Sequence, residues 1–285
     1  MKKFGKMVVI AAMALGAVVS LAGVASAKEW KEVRIGTEGA FPPWNATKPD
    51  GTLYGFEIDL ANDLCARMKV KCTFVQQSWD GIIPALEAGK FDAIMSGMSQ
   101  TAKRAKVILF SKPYGSTGQA FGVEKSSDLT KMPLNGKLFN LDSDQKGAEK
   151  AIDEIKPALK GKIIGVQSGS IAAAFLQKYF SDGATIRLYK TTQQHDLDLA
   201  SGRVDAVMAS MAYLSTAEKK SGNEDMTTAG PRFQGGMLGQ GSSIGMRMED
   251  TDLKAMFDKA IAAAKADGTS KKISMKWFGF DVTVY

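Results

Sequence analysis

Histidine and cysteine are almost missing from this 285-residue chain: it has one histidine, His195, and two cysteines, Cys65 and Cys72. A closed zinc site takes about four Cys or His ligands, so no metal is expected. Histidine-dependent acyl transfer has only His195 to use, and that residue lies among polar neighbours on a segment expected to be solvated. Gly165-Val166-Gln167-Ser168-Gly169 puts its serine one place too late for the G-x-S-x-G elbow. The run Gly235-Gly236, Gly239 and Gly241 does not match G-x-G-x-x-G, so it reads as a flexible crossing and not as a phosphate cradle. After residue 27 there is no long uncharged apolar run, so nothing there is expected to span a membrane. Basic clusters, internal repeats and low-complexity tracts are missing too, which excludes a nucleic-acid footprint.

What is present begins with a leader. Lys2, Lys3 and Lys6 precede an uncharged apolar stretch from Met7 to Val24, and Ala25-Ser26-Ala27 supplies a small-x-small cleavage pattern. This predicts a signal peptide over residues 1–27, cleaved after Ala27, and a periplasmic protein; a membrane anchor is the other reading. Leu21-Ala22-Gly23 begins a lipoprotein-like box, but Val24 stands where the lipid-bearing cysteine would be. Taking the leader's three lysines from the 37 basic residues leaves 34 against 30 acidic, a mixed surface. In an oxidising compartment Cys65 and Cys72 read as a disulfide; a shared zinc ion is the rival and lacks further ligands.

The pattern after the leader alternates strands and helices. Strands are expected at 33–37, 72–75 and 92–95, with helices at 57–68 and 79–88, where Ile58, Ala61, Cys65 and Met68 recur at helical spacing. The rhythm restarts with strands at 162–166, 184–188 and 204–208 and helices at 171–180 and 193–201. Residues 145–159 suit a surface helix, within a polar stretch (125–160) expected at the periphery of the second unit. Leu253, Met256, Phe257, Ala260, Ile261 and Ala264 make the apolar stripe of a last helix, with Gly268 as its cap. Two tandem α/β units, each with a mostly parallel sheet, predict two lobes and a cleft between them.

Candidate chemistry sits beyond strand ends. Arg104 follows the hydroxyl-rich turn Ser96-Gly97-Met98-Ser99-Gln100-Thr101, where a guanidinium could grip a carboxylate; a surface arginine is the plain alternative. Glu38, Phe41 and Trp44 follow the first strand and could hold a cation by charge and π faces, or could be a rigid Pro42-Pro43 turn with inward aromatics. Trp79 could be a stacking wall or a core plug.

Several longer motifs resemble the polar amino-acid family of periplasmic binding proteins. They are Gly55-Phe56-Glu57-Ile58-Asp59-Leu60, Trp79-Asp80-Gly81-Ile82-Ile83-Pro84-Ala85-Leu86, Phe91-Asp92-Ala93-Ile94-Met95, Phe110-Ser111-Lys112-Pro113-Tyr114, Gly202-Arg203-Val204-Asp205-Ala206 and Ala266-Asp267-Gly268-Thr269. The nearest branch looks like the histidine- and lysine-arginine-ornithine-binding proteins, whose disulfide the pair Cys65 and Cys72 matches, and within it the octopine and nopaline binders look nearer still. The resemblance implies a type II two-lobed fold: lobe 1 from 28–116 and 240–285, lobe 2 from 117–239, and hinge crossings near 115–119 and 238–242. It implies a monomer without cofactors that binds an amino acid or opine, has no catalytic residues, and delivers its ligand to the permease of an ABC importer. Arg104 would clamp the ligand carboxylate, helped by Ser99 and by backbone N–H groups near Gly97 and Ser170. Ser96 would bond the polar head, Phe41 and Trp79 would sandwich the side chain, and Glu38 would pair with a distal cation. Gln167 and Ser170 would join on closure, and Gln119 would meet the variable end. Family members usually place an aspartate at the position of Ser210; its replacement here points toward an N-substituted ligand. A cyclohexadienyl dehydratase-like enzyme and a ligand sensor for a receptor are the alternatives.

Overall fold

The computed structural model describes residues 29–284; the expected leader lies outside them. β1 (Glu32–Thr37) is followed by β2 (Ala40–Phe41), β3 (Asn45–Thr47) and β4 (Leu53–Tyr54), three short antiparallel strands in a sheet of their own. Then come α1 (Phe56–Met68), β5 (Lys71–Gln76), α2 (Ile82–Glu87), β6 (Ala93–Ile94) and β7 (Leu109–Phe110). The middle of the chain gives β8 (Gln119–Glu124), β9 (Leu138–Asn140), α3 (Gln145–Leu159), β10 (Ile163–Gln167), α4 (Ile171–Tyr179) and β11 (Thr185–Tyr189). It continues through α5 (Thr192–Ala200), β12 (Ala206–Ser210), α6 (Met211–Ala217) and β13 (Met226–Gln234). β14 (Gly245–Met246), α7 (Thr251–Ala266) and α8 (Thr269–Phe278) end it.

Two larger sheets result, in the orders β5-β1-β6-β14-β7 and β11-β10-β12-β8-β13-β9. In each, the first three strands are parallel and the next one turns antiparallel. β14 returns to the first sheet after the second is complete, so the backbone passes between the sheets twice. The two passages run side by side: Ser242 N–H donates to the Gly115 carbonyl at 2.7 Å and Tyr114 N–H to the Ser242 carbonyl at 2.9 Å. Gly241 allows that approach, because a Cβ there would lie 2.8 Å from the Gly115 oxygen.

Each sheet is covered on both faces, as parallel strands require. In the first, Phe56, Leu60, Leu64, Phe257 and Ile261 pack on one side and Ile82, Leu86, Phe91 and Ile108 on the other. In the second, Ile152, Ile155, Phe175, Leu176 and Phe233 form one layer and Leu199, Val204, Tyr213 and Leu214 the other. α1 begins after Gly55, at φ 131°, where a Cβ would lie only 2.5 Å from the Trp44 carbonyl oxygen. It ends at Lys69 in the left-handed conformation. Cys65 and Cys72 are disulfide-bonded, joining the last turn of α1 to β5 across a separation of seven residues; closing so short a loop contributes about 2 kcal/mol in the chain-entropy account.

Four expectations change in detail. The helix expected at 79–88 divides into a 3-10 turn, Trp79–Gly81, and α2. The strand expected at 204–208 starts at Ala206, because Asp205 is engaged before the ladder: its carboxylate accepts the Ile163 N–H at 2.8 Å. Residues 138–140, within the stretch expected at the periphery, supply the edge strand β9 of the second sheet. His195 is fully buried rather than solvated. Its ring lies edge-on between Tyr189 and Tyr213, at 6.1 and 6.2 Å, in space left by Gly165 on β10, whose added Cβ would come 3.1 Å from that of His195.

Candidate functional site

Ligand clefts in open α/β sheets open beyond the carboxyl ends of the strands, and both sheets here aim those ends at one cleft. From the first sheet, Glu38 follows β1, Trp79 follows β5, and Ser96, Gly97, Ser99 and Arg104 follow β6. From the second, Gln167 ends β10, Ser170 starts α4 and Ser210 ends β12, with Gln119 at the start of β8 beside it. Phe41, on β2, completes the set. All eleven sequence-derived site residues line this one cleft, which holds about 790 Å³ of space, its open mouth included.

The walls touch directly. Gln167 Nε2 donates to Glu38 Oε1 at 2.7 Å, and Arg104 Nη2 donates to the Gly169 carbonyl at 3.2 Å. Phe41 stacks on Tyr213 of α6 with centroids 5.1 Å apart and planes 10° apart. These contacts cross from one sheet's side to the other, so the structure describes a closed cleft.

Two charged groups dominate it. Arg104 lies with its guanidinium carbon 5.1 Å above the Trp79 ring, and Nη1 donates to the Ser99 carbonyl at 2.9 Å. Its hydrogen-bond acceptors are backbone carbonyls, not a carboxylate, and desolvation lowers its pKa to about 10. A guanidinium so placed is short of a negative partner, and an organic anion supplies one. Glu38 is the opposite case. Only 6 % exposed, it has a pKa raised to about 7, chiefly by desolvation and also by the charges of Asp80 and Glu57, while the Gln167 hydrogen bond pulls the other way.

The serines are used in two ways. Ser170 Oγ accepts the Ala173 N–H at 3.0 Å and Ser210 Oγ accepts the Tyr213 N–H at 3.2 Å, so each caps a helix that starts at the cleft wall. Ser96 Oγ accepts the Glu38 N–H at 2.9 Å, tying two strand ends together. Gly97 departs from expectation. Its N–H donates to Glu57 Oε1 at 2.7 Å and is not turned to the cleft. Its missing side chain matters instead, since an added Cβ would lie 3.0 Å from the Phe41 ring.

Sequence reasoning missed Ser116, Thr117, Thr192, Gln234 and Ser242, which also line the cleft. Thr117 is fixed by accepting the Ala212 N–H on Oγ1 at 3.2 Å. Ser116, Thr117 and Ser242 fall within the crossings expected at 115–119 and 238–242, and Gln234 directly precedes the Gly235-Gly236 pair; Thr192 has no such signal. Among the described residues, no group of three or more His, Cys, Asp and Glu is placed to hold a metal, and no helix is long and apolar enough to cross a membrane.

Residues 33–280 match the family described as bacterial extracellular solute-binding proteins, family 3. The chain is 43% identical over 281 residues to the octopine-binding periplasmic protein of Rhizobium meliloti, covering 92% of this chain and 95% of that one. It is 34% identical over 282 residues to the L-arginine-binding protein of Pseudomonas aeruginosa, covering 97% and 98%. Among solved structures, an ancestral arginine-binding protein bound to arginine superposes with a TM-score of 0.73 at 34% identity, over 87% of this chain and 99% of that one.

Proposed function

The chain belongs to the bacterial extracellular solute-binding proteins, family 3, and acts as the periplasmic solute-binding component of an ABC importer; from that premise we propose that it captures, as a monomer and without catalysis, an opine-type ligand such as octopine or nopaline. Such a ligand combines a cationic side chain, an α-carboxylate and a substituted α-nitrogen that carries a second carboxylate.

The observation that carries this reading is the neutrality of the second wall. Gln167, Ser170, Thr192 and Ser210 line it and none is acidic. A free α-ammonium buried there would lack an anionic partner, at a cost of several kcal/mol in a closed cleft. An opine brings its own carboxylate next to that nitrogen and balances it internally. Arg104 then takes the α-carboxylate over the Trp79 face, and Glu38 takes the distal cation. The lobes close by moving about the passages near 115–119 and 238–242, and bound ligand favours the closed form.

A free cationic amino acid is a second reading, favoured by the similarity to the arginine binder. Dehydratase chemistry would need a general acid. Glu38 is the one cleft carboxyl with a suitable pKa, and it is already bonded to Gln167. Turnover of prephenate or arogenate would replace the binding reading with that one.

The test is a thermal-shift series with octopine, nopaline, arginine, lysine, ornithine and histidine. Ligand at about 100 times its Kd stabilises by roughly 2.7 kcal/mol, so opines should raise Tm with dose. No shift with any of the six would overturn the proposal.

Glu38 also gives a pH dependence. In the closed cleft its pKa of about 7 lies above the ordinary 4.5, so the closed protein without ligand holds this proton more tightly than the unfolded chain. Its contribution to stability is therefore lost as pH rises from about 4.5 through 7. A guanidinium ligand needs the ionised form, so affinity should fall about tenfold per pH unit below the pKa. Glu38→Gln should flatten both profiles, with a higher ligand-free Tm at pH 8 and weak, pH-independent binding; an unchanged affinity profile would remove Glu38 from cation recognition.

A further inference from the structure

Glu57 is a fully buried carboxylate that the ligand scheme does not use. It sits in the first turn of α1, within Gly55-Phe56-Glu57-Ile58-Asp59-Leu60. Its donors are all neutral. Oε1 accepts the Gly97 N–H at 2.7 Å and the Tyr114 hydroxyl, and Oε2 accepts Asn45 Nδ2 at 2.6 Å. Asn45 passes the connection on, accepting the Gly39 N–H on Oδ1 at 2.8 Å. Burial raises the Glu57 pKa above the ordinary value, and these hydrogen bonds oppose the rise. A well-packed apolar residue would spare the chain a buried carboxyl, so the group's use lies in what it joins.

It joins three places that matter to capture. Gly39 is next to Glu38. Gly97 lies in the turn that carries Ser96 and Ser99. Tyr114 immediately precedes the first passage between the sheets, where its N–H donates to the Ser242 carbonyl. We propose that Glu57 is a positioning residue for ligand capture: through Asn45, Gly97 and Tyr114 it holds the Glu38 loop, the Ser96 turn and the start of the hinge in one register, so that they move together when the cleft closes. This rests on the cleft being the ligand site.

The hydrogen-bond polarity provides the test. In Glu57→Gln, the new amide still accepts from Gly97 and Tyr114, but its NH₂ meets the NH₂ of Asn45. If Asn45 rotates to accept from it, the Gly39 N–H loses its acceptor; either way one buried donor is stranded. Octopine affinity, or that of arginine if the wild type binds only arginine, should fall about tenfold. Asn45→Asp alone places two carboxylates in contact and should fall at least as far. The double variant Glu57→Gln/Asn45→Asp restores every donor–acceptor pair, since the introduced carboxylate accepts both from the introduced amide NH₂ and from the Gly39 N–H. It should recover to within about threefold of wild type.

Amide hydrogen exchange of the ligand-free proteins supplies a readout independent of any ligand. Gly39 should exchange faster in Glu57→Gln and regain protection in the double variant, whereas helix α7 should not change. Wild-type affinity in Glu57→Gln, or a folded double variant that recovers neither affinity nor Gly39 protection, would overturn the proposal. Failure of the wild type to bind any cationic amino acid or opine would instead overturn the ligand reading and leave the exchange result to decide the role of Glu57. If Glu57→Gln does not fold, Asn45→Asp against the double variant decides it by the same recovery.

Discussion

Replacing Arg104 with alanine is expected to weaken ligand capture by about a thousandfold or more, the upper part of the range for removing one side of a desolvated charge pair. The same change should leave the ligand-free melting temperature unchanged or raise it. The two effects separate because the guanidinium contributes little to the empty protein. In the closed cleft it gives hydrogen bonds to two carbonyls, Ser99 and Gly169, and its charge is desolvated without a carboxylate to offset it; opening of the empty cleft releases the Gly169 contact and rehydrates the charge. In the complex it meets an anion in a fork geometry above the Trp79 ring. Arg104→Lys should recover only a small part of the loss, since an ammonium keeps the charge without the planar pair of donors. Isothermal calorimetry alongside scanning calorimetry reads both quantities. Affinity within about tenfold of wild type in Arg104→Ala would remove the clamp.

The second large effect is a change of preference at position 210. Ser210→Asp should improve arginine binding by about tenfold to a hundredfold and weaken octopine by at least as much. Ser210 caps α6 by accepting the Tyr213 N–H while lining the cleft. Aspartate caps helices as well as serine does, so the helix should tolerate the change. One carboxylate oxygen would serve the cap and the other would face the ligand's α-nitrogen. There it attracts a primary ammonium and repels the second carboxylate of an opine. Competition between the two ligands on one preparation measures the ratio without an error in active concentration. A ratio that stays fixed while both affinities change would show that position 210 does not face the α-nitrogen.

The parts of this account that were legible in the sequence share a physical reason. β5, β10 and β11 belong to parallel units, where each strand is followed by a helical segment, and that alternation is visible one element at a time. The same logic singles out Glu38 and Arg104 as candidates beyond strand ends, whereas the site role of Gln167 comes only from the family resemblance. The strands that join the lobes were not visible. β7 and β14 are two residues long, and β13 carries Gly230 and Pro231 where its pairing with β8 shifts register. Their places are fixed by neighbours far away in the chain, which also explains why Thr117, Gln234 and Ser242 were missed. His195 was misplaced because its sequence neighbours are polar, whereas burial depends on which face α5 turns to β10. Gly97 reads from sequence as an N–H for the ligand, but Glu57 accepts that N–H instead.

The most direct measurement is a calorimetric titration of the wild-type protein with octopine and then with arginine, which share a side chain and an α-carboxylate and differ at the α-nitrogen. A cleft whose second wall has no acid should hold octopine at least about tenfold more tightly than arginine. Arginine binding as tightly as octopine, or more tightly, would show that something other than the ligand's own carboxylate balances that nitrogen, and the proposed ligand class would be wrong.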